Sequence, residues 1–588
     1  MLLRKGIPCR LCGIQGLILM AARFPYYKEI ALLLLILAGY ILHSVYMGSF
    51  TVNCATDISS LVAAQDITTK LDSFSSKIGQ PIHNLITAFQ HSRLPPLYAL
   101  NAVLITKIIG RNWTMMNIVN NFPYLFILLV FCYLTGREIK DKETGILASV
   151  LIALYPLVYG SFRLYCIDFS IMAMTVMSFY FLLRSKNFQK TPETIVFALC
   201  CGWGMLLKDP FGCFIAGPTL YALFCRCNHP QNPEKGILSR PANILIAAVL
   251  FLIVISPYYF NITILKFILI DRQISNEPAQ HAWYTFDNLR LFTTGLWENQ
   301  LSPPFFIAFI IGLYFVVKHK YLTSVKPMIF LWIVVPTVIV LFMNNQKSVR
   351  YLLPLMPAYA LVTAAGLRTI LWTRRGIVIV CIILVAGLLQ YRYISYGSSD
   401  ISINIMGKQW HYFSRSELNQ KFSDMQNTGE RMQGIYQGLM ERYRQSGNKS
   451  TLNLLIPLRI TSGFTDFIDI YFWFQNSKTT INTISLLEKG IETLEQIYQD
   501  RNKIDAILFL LPKEKIPLIR RDFHLPFAIL QEYYSPWNSN IIRNYQLMTA
   551  ADWAVHERTW NKLEREFPQK KLLYNDAEIE VYLFSRSQ

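Results

Sequence analysis

The stretch RYLLPLMPAYALVTAAGLRTILWTRR, residues 350–375, carries the pattern that decides the fold. A single cation, Arg350, opens it, residues 351–367 follow without a charge, and Arg368, Arg374 and Arg375 close it. As a helix, such a run approaches the ~30 Å thickness of a hydrocarbon core. A dense basic cluster at one end only is the mark of a membrane span whose basic end stays in the cytoplasm.

Working outward, the same unit recurs along the first two thirds of the chain. Hydrophobic runs fall at 29–48, 117–135, 145–160, 169–183, 194–207, 211–224, 242–257, 304–317, 328–343, 351–367 and 377–391. They predict a polytopic α-helical membrane protein with about eleven spans. Composition agrees: 53% of the 588 residues are hydrophobic, 16% are charged and the mean hydropathy is +0.31. Soluble domains carry about 25% charged residues, so a soluble enzyme is excluded, as are disordered and fibrous classes. The first run is too long for a signal-peptide core and no small-residue cleavage site follows it, so it reads as a retained anchor.

The formal net charge of +19 is mostly topological. Residues 393–588 hold 23 basic and 22 acidic residues, which leaves the first 392 with 33 against 15. Alternate short loops hold the excess: Arg4 to Lys28, Arg137 to Lys142, Arg184 to Lys190, Arg226 to Arg240, Lys318 to Lys326 and Arg368 to Arg375. Those loops are expected in the cytoplasm. The expectation is therefore a multi-pass protein of the cell (inner) membrane, its N-terminus cytoplasmic. Membrane lipids are its surroundings, and nucleic acid is no partner.

Two large external loops are expected, at about 50–116 and 258–302. In the first, residues 97–110 suit an interfacial helix; the second is rich in aromatics, as at an interface belt. Residues 1–392 form the expected membrane domain. Residues 393–588 read as an extracytoplasmic α/β domain. Its strands are predicted at 451–457, 506–511 and 579–584, with a helix at 485–499. Nothing there suggests a nucleophile elbow or a phosphate loop, so a non-catalytic cap is expected. All eleven cysteines precede it. Cys9 and Cys12 form a lone CxxC without a recognisable zinc-finger spacing. Cys54 and Cys166 are both expected outside, where oxidation is permitted, and a disulfide between them is hypothesised.

Carboxylates are scarce in the membrane region, and two stand at outer span ends: Asp57, beyond the first run, and Asp168, where the third and fourth runs meet. An ionised group at the bilayer edge needs water or partners, which makes both candidates for a site. Cations join them on the same face: His91 and Arg93 in the first loop, Lys208 ending the fifth run, Arg290 in the second loop, and Arg350 with Tyr351 opening the tenth. Basic groups outside run against the charge rule, and a lipid phosphate would account for them.

The order of these motifs resembles the GT-C superfamily of polytopic glycosyltransferases. Within it, the likeness is to the branch of protein O-mannosyltransferase-like enzymes and lipid A aminoarabinose transferases. It runs over about residues 30–370. It covers the acidic first loop, Pro95-Pro96-Leu97-Tyr98, the Arg163 to Asp168 turn, Gly202 to Pro210, Phe292-Thr-Thr-Gly295 and Arg350 to Pro357. The resemblance implies transfer of a hexosyl or pentosyl group from a polyprenyl-phosphate donor to a lipid, glycan or protein acceptor. By it Asp57 is the general base toward an acceptor hydroxyl, and Asp168 orients acceptor or loop. His91, Arg93, Lys208, Arg290, Arg350 and Tyr351 face the carrier phosphate. No cofactor is required, and no metal is predicted, since cations can take the phosphate charge. The chain departs from many relatives: Ile58 follows Asp57 where they have Glu, Leu94 stands for a lysine, and Arg290 is displaced by one position. A transporter or flippase would place its charges nearer mid-membrane and often show repeats; neither pattern is present. A catalytically idle scaffold that binds partners through its C-terminal domain is the third reading.

Overall fold

The computed structural model describes residues 27–47, 61–65, 67–68, 95–224, 238–260, 295–318, 325–342, 349–371 and 373–397. In the C-terminal part it describes 402–405, 408–411, 433–441, 451–456, 480–485, 506–512, 569–575 and 579–585. Helices account for the first group: α1 Tyr27–Met47, α2 Leu97–Ile109, α3 Trp113–Ile139, α4 Lys142–Leu154, α5 Pro156–Phe162, α6 Ile167–Arg184, α7 Thr191–Leu207 and α8 Phe211–Phe224. They continue as α9 Arg240–Tyr259, α10 Pro303–Lys318, α11 Lys326–Phe342, α12 Met356–Ile370 and α13 Arg374–Tyr396. A π-turn, Leu296–Leu301, leads into α10, and a 3-10 turn, Val349–Leu355, into α12.

Within the described residues the eleven hydrophobic runs fall on helical segments, and charges mark their ends. Six spans are long and apolar enough to cross a membrane: α1, α3, α6, α9, Val349–Ile370 and α13. The run at 145–160 differs from expectation. It is a broken pair, α4 and α5, bent by 65° at Tyr155, where Pro156 cannot donate to the preceding turn. Counted as one, the pair makes a seventh crossing; α7, α8, α10 and α11 are shorter apolar helices. The molecule is thus a multi-pass membrane protein.

Local sequence starts these helices where loops end. Asn112 caps α3 by accepting from the Met115 N–H, and Asp141 caps α4 by accepting from the Thr144 N–H at 2.9 Å. Close approach of helices then depends on glycine. A Cβ on Gly312 of α10 would lie 2.7 Å from Thr363 Cα of α12, and one on Gly136 of α3 would lie 2.7 Å from Gly145 Cα of α4. Burial separates centre from rim. The membrane windows of α6 and Val349–Ile370 are 72% and 89% buried, whereas those of α1, α9 and α13 are 17–22% buried. The rim helices expose Leu35, Leu42, Leu388 and Leu389, as a surface against lipid requires.

Polar contacts sort the helix ends into two sets. At one end lie the Glu29–Lys142 ion pair, Arg184 with Glu138 at 3.4 Å and Arg368 with Asp141 at 2.9 Å. Asp168, Lys208, Arg350, His43 and Ser395 gather at the other.

The C-terminal part contributes strands. β1 Ser402–Ile405 and β2 Lys408–His411 pair antiparallel. β3 Thr451–Ile456, β4 Thr480–Ser485, β5 Ala506–Pro512, β6 Gln569–Asn575 and β7 Ile579–Ser585 form a mixed sheet of order β4-β3-β5-β7-β6. β3 is parallel to β4 and β5, while β7 is antiparallel to β5 and β6. All three strands predicted from sequence are present. The helix expected at 485–499 lies outside the described residues beyond the end of β4.

Candidate functional site

The centre of the site is the first turn of α6. Cys166 is the N-cap, and Asp168 is the second helical residue, where the helix N-terminus favours a negative charge. Asp168 is 4% exposed, so its carboxylate needs partners. Two elements supply them. Lys208, the C-cap of α7, donates from Nζ to Asp168 Oδ1 at 2.8 Å. Arg350, in the 3-10 turn ahead of α12, brings Nε to 4.0 Å from Asp168 Oδ2. Both cations are buried, at 4% and 7% exposure.

Tyr351 completes the group. Its hydroxyl accepts from Arg350 Nη2 at 3.2 Å, and the Arg350 guanidinium lies 5.0 Å from its ring centroid. Lys208 Nζ is 5.8 Å from the same ring, within cation–π range. Since the Tyr351 hydroxyl accepts from Arg350, its own hydrogen is left to donate elsewhere. The residue is half-buried and forms the accessible edge of an otherwise buried cluster.

Four sequence-predicted residues, Asp168, Lys208, Arg350 and Tyr351, therefore come together although 183 positions separate the first from the last. Asp57, His91, Arg93 and Arg290 lie outside the described residues, as does Cys54 of the hypothesised bridge. Cys166 itself is buried. Among the described residues no three His, Cys, Asp or Glu side chains converge as metal ligands.

Two motifs that sequence reading kept separate also meet. Tyr98, from the Pro-Pro-Leu-Tyr segment, packs its ring 4.6 Å from that of Tyr165 in the turn before α6. The Tyr165 hydroxyl donates to the Tyr98 carbonyl at 3.5 Å. Sequence reasoning placed Arg163 in a motif without giving it a task. Its buried guanidinium turns out to reach α13, and the only signal in the sequence was a lone arginine in an apolar turn.

Residues 93–260 match the family model described as dolichyl-phosphate-mannose-protein mannosyltransferase. No curated protein matches the chain. Among solved structures the chain is similar to ArnT from Cupriavidus metallidurans bound to undecaprenyl phosphate. The TM-score is 0.55 at 10% identity, over 95% of this chain and 98% of that one. The apo state of the same protein gives 0.54 at 9% identity, with the same coverage. The Archaeoglobus fulgidus oligosaccharyltransferase in its apo form gives 0.44 at 10% identity, over 82% of this chain and 70% of that one. The fold is that of the GT-C glycosyltransferases, as the motif order implies.

Proposed function

Proceeding from a GT-C glycosyltransferase fold, we propose that the chain moves a sugar from a polyprenyl-phosphate carrier to an acceptor hydroxyl at the extracytoplasmic face of a cell membrane. The observation that carries this reading is the buried cluster of Lys208, Arg350 and Tyr351 around Asp168. Two buried cations and a tyrosine hydroxyl converge at the half-buried Tyr351 edge, a donor set that suits the oxygens of an anion. A fold match to a protein crystallised with undecaprenyl phosphate supports a lipid phosphate as that anion.

The topology belongs to the same proposal. Eleven crossings with a cytoplasmic N-terminus put the Asp141–Arg368 end inside and the Asp168 end outside, with residues 393–588 beyond the outer face. This agrees with the basic loops at 137–142 and 368–375.

In the reaction, the acceptor oxygen attacks the anomeric carbon of the sugar. The bond from that carbon to the phosphate oxygen breaks, and its electron pair leaves on the phosphate. The hydroxyl proton passes to Asp57, the general base. Phosphate charge rises from one toward two as the bond breaks, so Lys208, Arg350 and the Tyr351 hydroxyl stabilise the transition state more than the donor. His91, Arg93 and Arg290 add positive charge from the two external loops. Asp168 keeps the cations oriented, and no step needs a metal or other cofactor.

The test uses the full chain in vesicles with undecaprenyl-phosphate-linked hexoses and pentoses and an envelope-lipid extract as acceptor. Release of undecaprenyl phosphate is followed. Asp57→Asn is expected to abolish release while retaining wild-type binding of undecaprenyl phosphate; full activity of that variant refutes the assignment.

A further inference from the structure

A second buried group of side chains, at the same end of the bundle as the Asp168 cluster, joins three helices far apart in sequence. Arg163 is the C-cap of α5 and is 5% exposed. Its Nη2 donates to Ser395 Oγ at 2.6 Å, in the last turn of α13. The guanidinium lies 5.1 Å from the Tyr159 ring centroid and 5.7 Å from that of Tyr391, and those two rings meet edge-on at 4.7 Å. From α1, His43 packs 4.9 Å from the Tyr391 ring and shares a 2.9 Å hydrogen bond with Tyr396. Ser302, at the start of α10, donates to Gln390 Oε1 at 2.7 Å. This end of α13 is thereby pinned to α1, α5 and α10 together.

The turn from α5 to α6 is held from the other side by α3. Asn121 Nδ2 donates to the Phe162 and Leu164 carbonyls at 2.9 and 2.8 Å, and Asn117 Nδ2 to the Arg163 carbonyl at 3.5 Å. The backbone of the turn is thus fixed by α3 while the Arg163 side chain is fixed by α13. Asp168 begins four residues after Leu164, on the helix this turn launches. A movement of the turn carries Asp168 with it, and displacements of about 1 Å are large on the scale of phosphate recognition.

We propose that Arg163 is a positioning residue: it transmits the seating of the end of α13 into the placement of Asp168, and through Asp168 into the Lys208–Arg350 pair. The proposal rests on the reading of that pair as the seat of the carrier phosphate. Arginine suits the task because its planar group stacks on two rings and donates from its edge at once; a lysine keeps the charge but cannot do both. α13 is also the element from which the chain leaves the bundle toward β1. Arg163 therefore stands where the attachment of the C-terminal part meets the site.

Undecaprenyl phosphate titrated onto the full-length protein in nanodiscs tests this, with affinity and number of sites per chain read separately. Arg163→Lys is expected to weaken binding roughly tenfold, and Ser395→Ala, which keeps the guanidinium, roughly threefold, both with the full number of sites. Leu389→Ala, on α13 but 66% exposed, is the control and binds as wild type. A reduced number of sites at wild-type affinity means a folding role only and overturns the proposal. Wild-type affinity in Ser395→Ala overturns it as well, and this arm stands even where Arg163→Lys fails to assemble. A wild-type chain that does not bind undecaprenyl phosphate overturns the carrier reading itself, a result distinct from the other two.

Discussion

Replacing Asp168 by Asn removes one charge from the centre of the site while keeping an oxygen that can accept from Lys208. In the native cluster Lys208 Nζ stands 2.8 Å and Arg350 Nε 4.0 Å from the two carboxylate oxygens, and all three residues are buried. Removing one partner of such a buried arrangement costs about 3–5 kcal/mol, because the remaining charges stay desolvated. The ligand-free variant is therefore expected to unfold at a lower temperature than wild type. Carrier phosphate reverses the balance. A carboxylate about 6 Å from a phosphate seated on Lys208 and Tyr351 repels it by about 3 kcal/mol per phosphate charge at an effective dielectric of about 20. If water at the half-buried Tyr351 edge leaves only about 1 kcal/mol of that, undecaprenyl phosphate binds Asp168→Asn at least about fivefold more tightly than wild type. Thermal unfolding in detergent, with and without undecaprenyl phosphate, reads both effects: a lower starting midpoint and a larger rise on ligand addition. Asp168→Ala removes the acceptor along with the charge, so the cations lose their orientation and the gain disappears. A ligand-induced rise in Asp168→Asn no larger than in wild type would falsify the view of Asp168 as a counter-ion competing with phosphate.

Tyr351→Phe keeps the ring under Lys208 and Arg350 but removes the hydroxyl. Calorimetric titration is expected to show roughly tenfold weaker undecaprenyl phosphate binding, the scale of one hydrogen bond to a charged group, with an unfolding midpoint somewhat lowered because Arg350 Nη2 loses its acceptor. At the opposite end, burial pushes the Asp141 carboxyl up, but hydrogen bonds from Thr144 and the Arg368 charge outweigh it and hold the group below the usual carboxylate range. A depressed carboxylate contributes stability that is complete above about pH 4 and is lost as pH falls through its folded-state value. Acid unfolding of Arg368→Ala should start at higher pH than that of wild type, and coincident curves would rule the contribution out. Gly312→Val puts a Cβ 2.7 Å from Thr363 Cα, and overpacking of that kind costs roughly 1–3 kcal/mol. Gly39→Ala meets nothing within 4 Å and should leave the unfolding midpoint where it was.

The bundle was legible because a span is a local property: a long apolar run bounded by charges announces itself without reference to its neighbours. Tyr155-Pro156 shows the limit. A proline follows an apolar run there, yet prolines at 123, 218, 257 and 336 sit inside helices that continue past them. What distinguishes Pro156 is its surroundings, which no single stretch of sequence records. The site was legible in the same partial way. Asp168, Lys208, Arg350 and Tyr351 each interrupt an apolar run at the end expected outside, so the loop charges alone assign them to one face. Alternation fixes the end of each helix but not the direction its side chains take, so the sharing of Asp168 between two cations was not readable. Arg163 lies further out of reach. Ser395, its partner, is 232 positions away on a helix whose sequence gives no sign of facing α5.

The two ends of the bundle put their charges to different use. Where the basic loops lie, ion pairs link neighbouring helix ends: Lys142 with Glu29, Arg184 with Glu138 and Glu193, Arg368 with Asp141 and Glu143. Pairs of that kind at a solvated rim add little stability each, but they fix which helix ends sit side by side. At the other end the described charges gather instead of pairing across the rim. There Lys208 and Arg350 converge on the single carboxylate of Asp168, all three buried. In the proposed function that convergence of donors is the seat of an anion that comes and goes. A phosphate that gains charge as its sugar departs is bound more tightly at the moment of leaving than on arrival, which is the order of affinities a transferase needs.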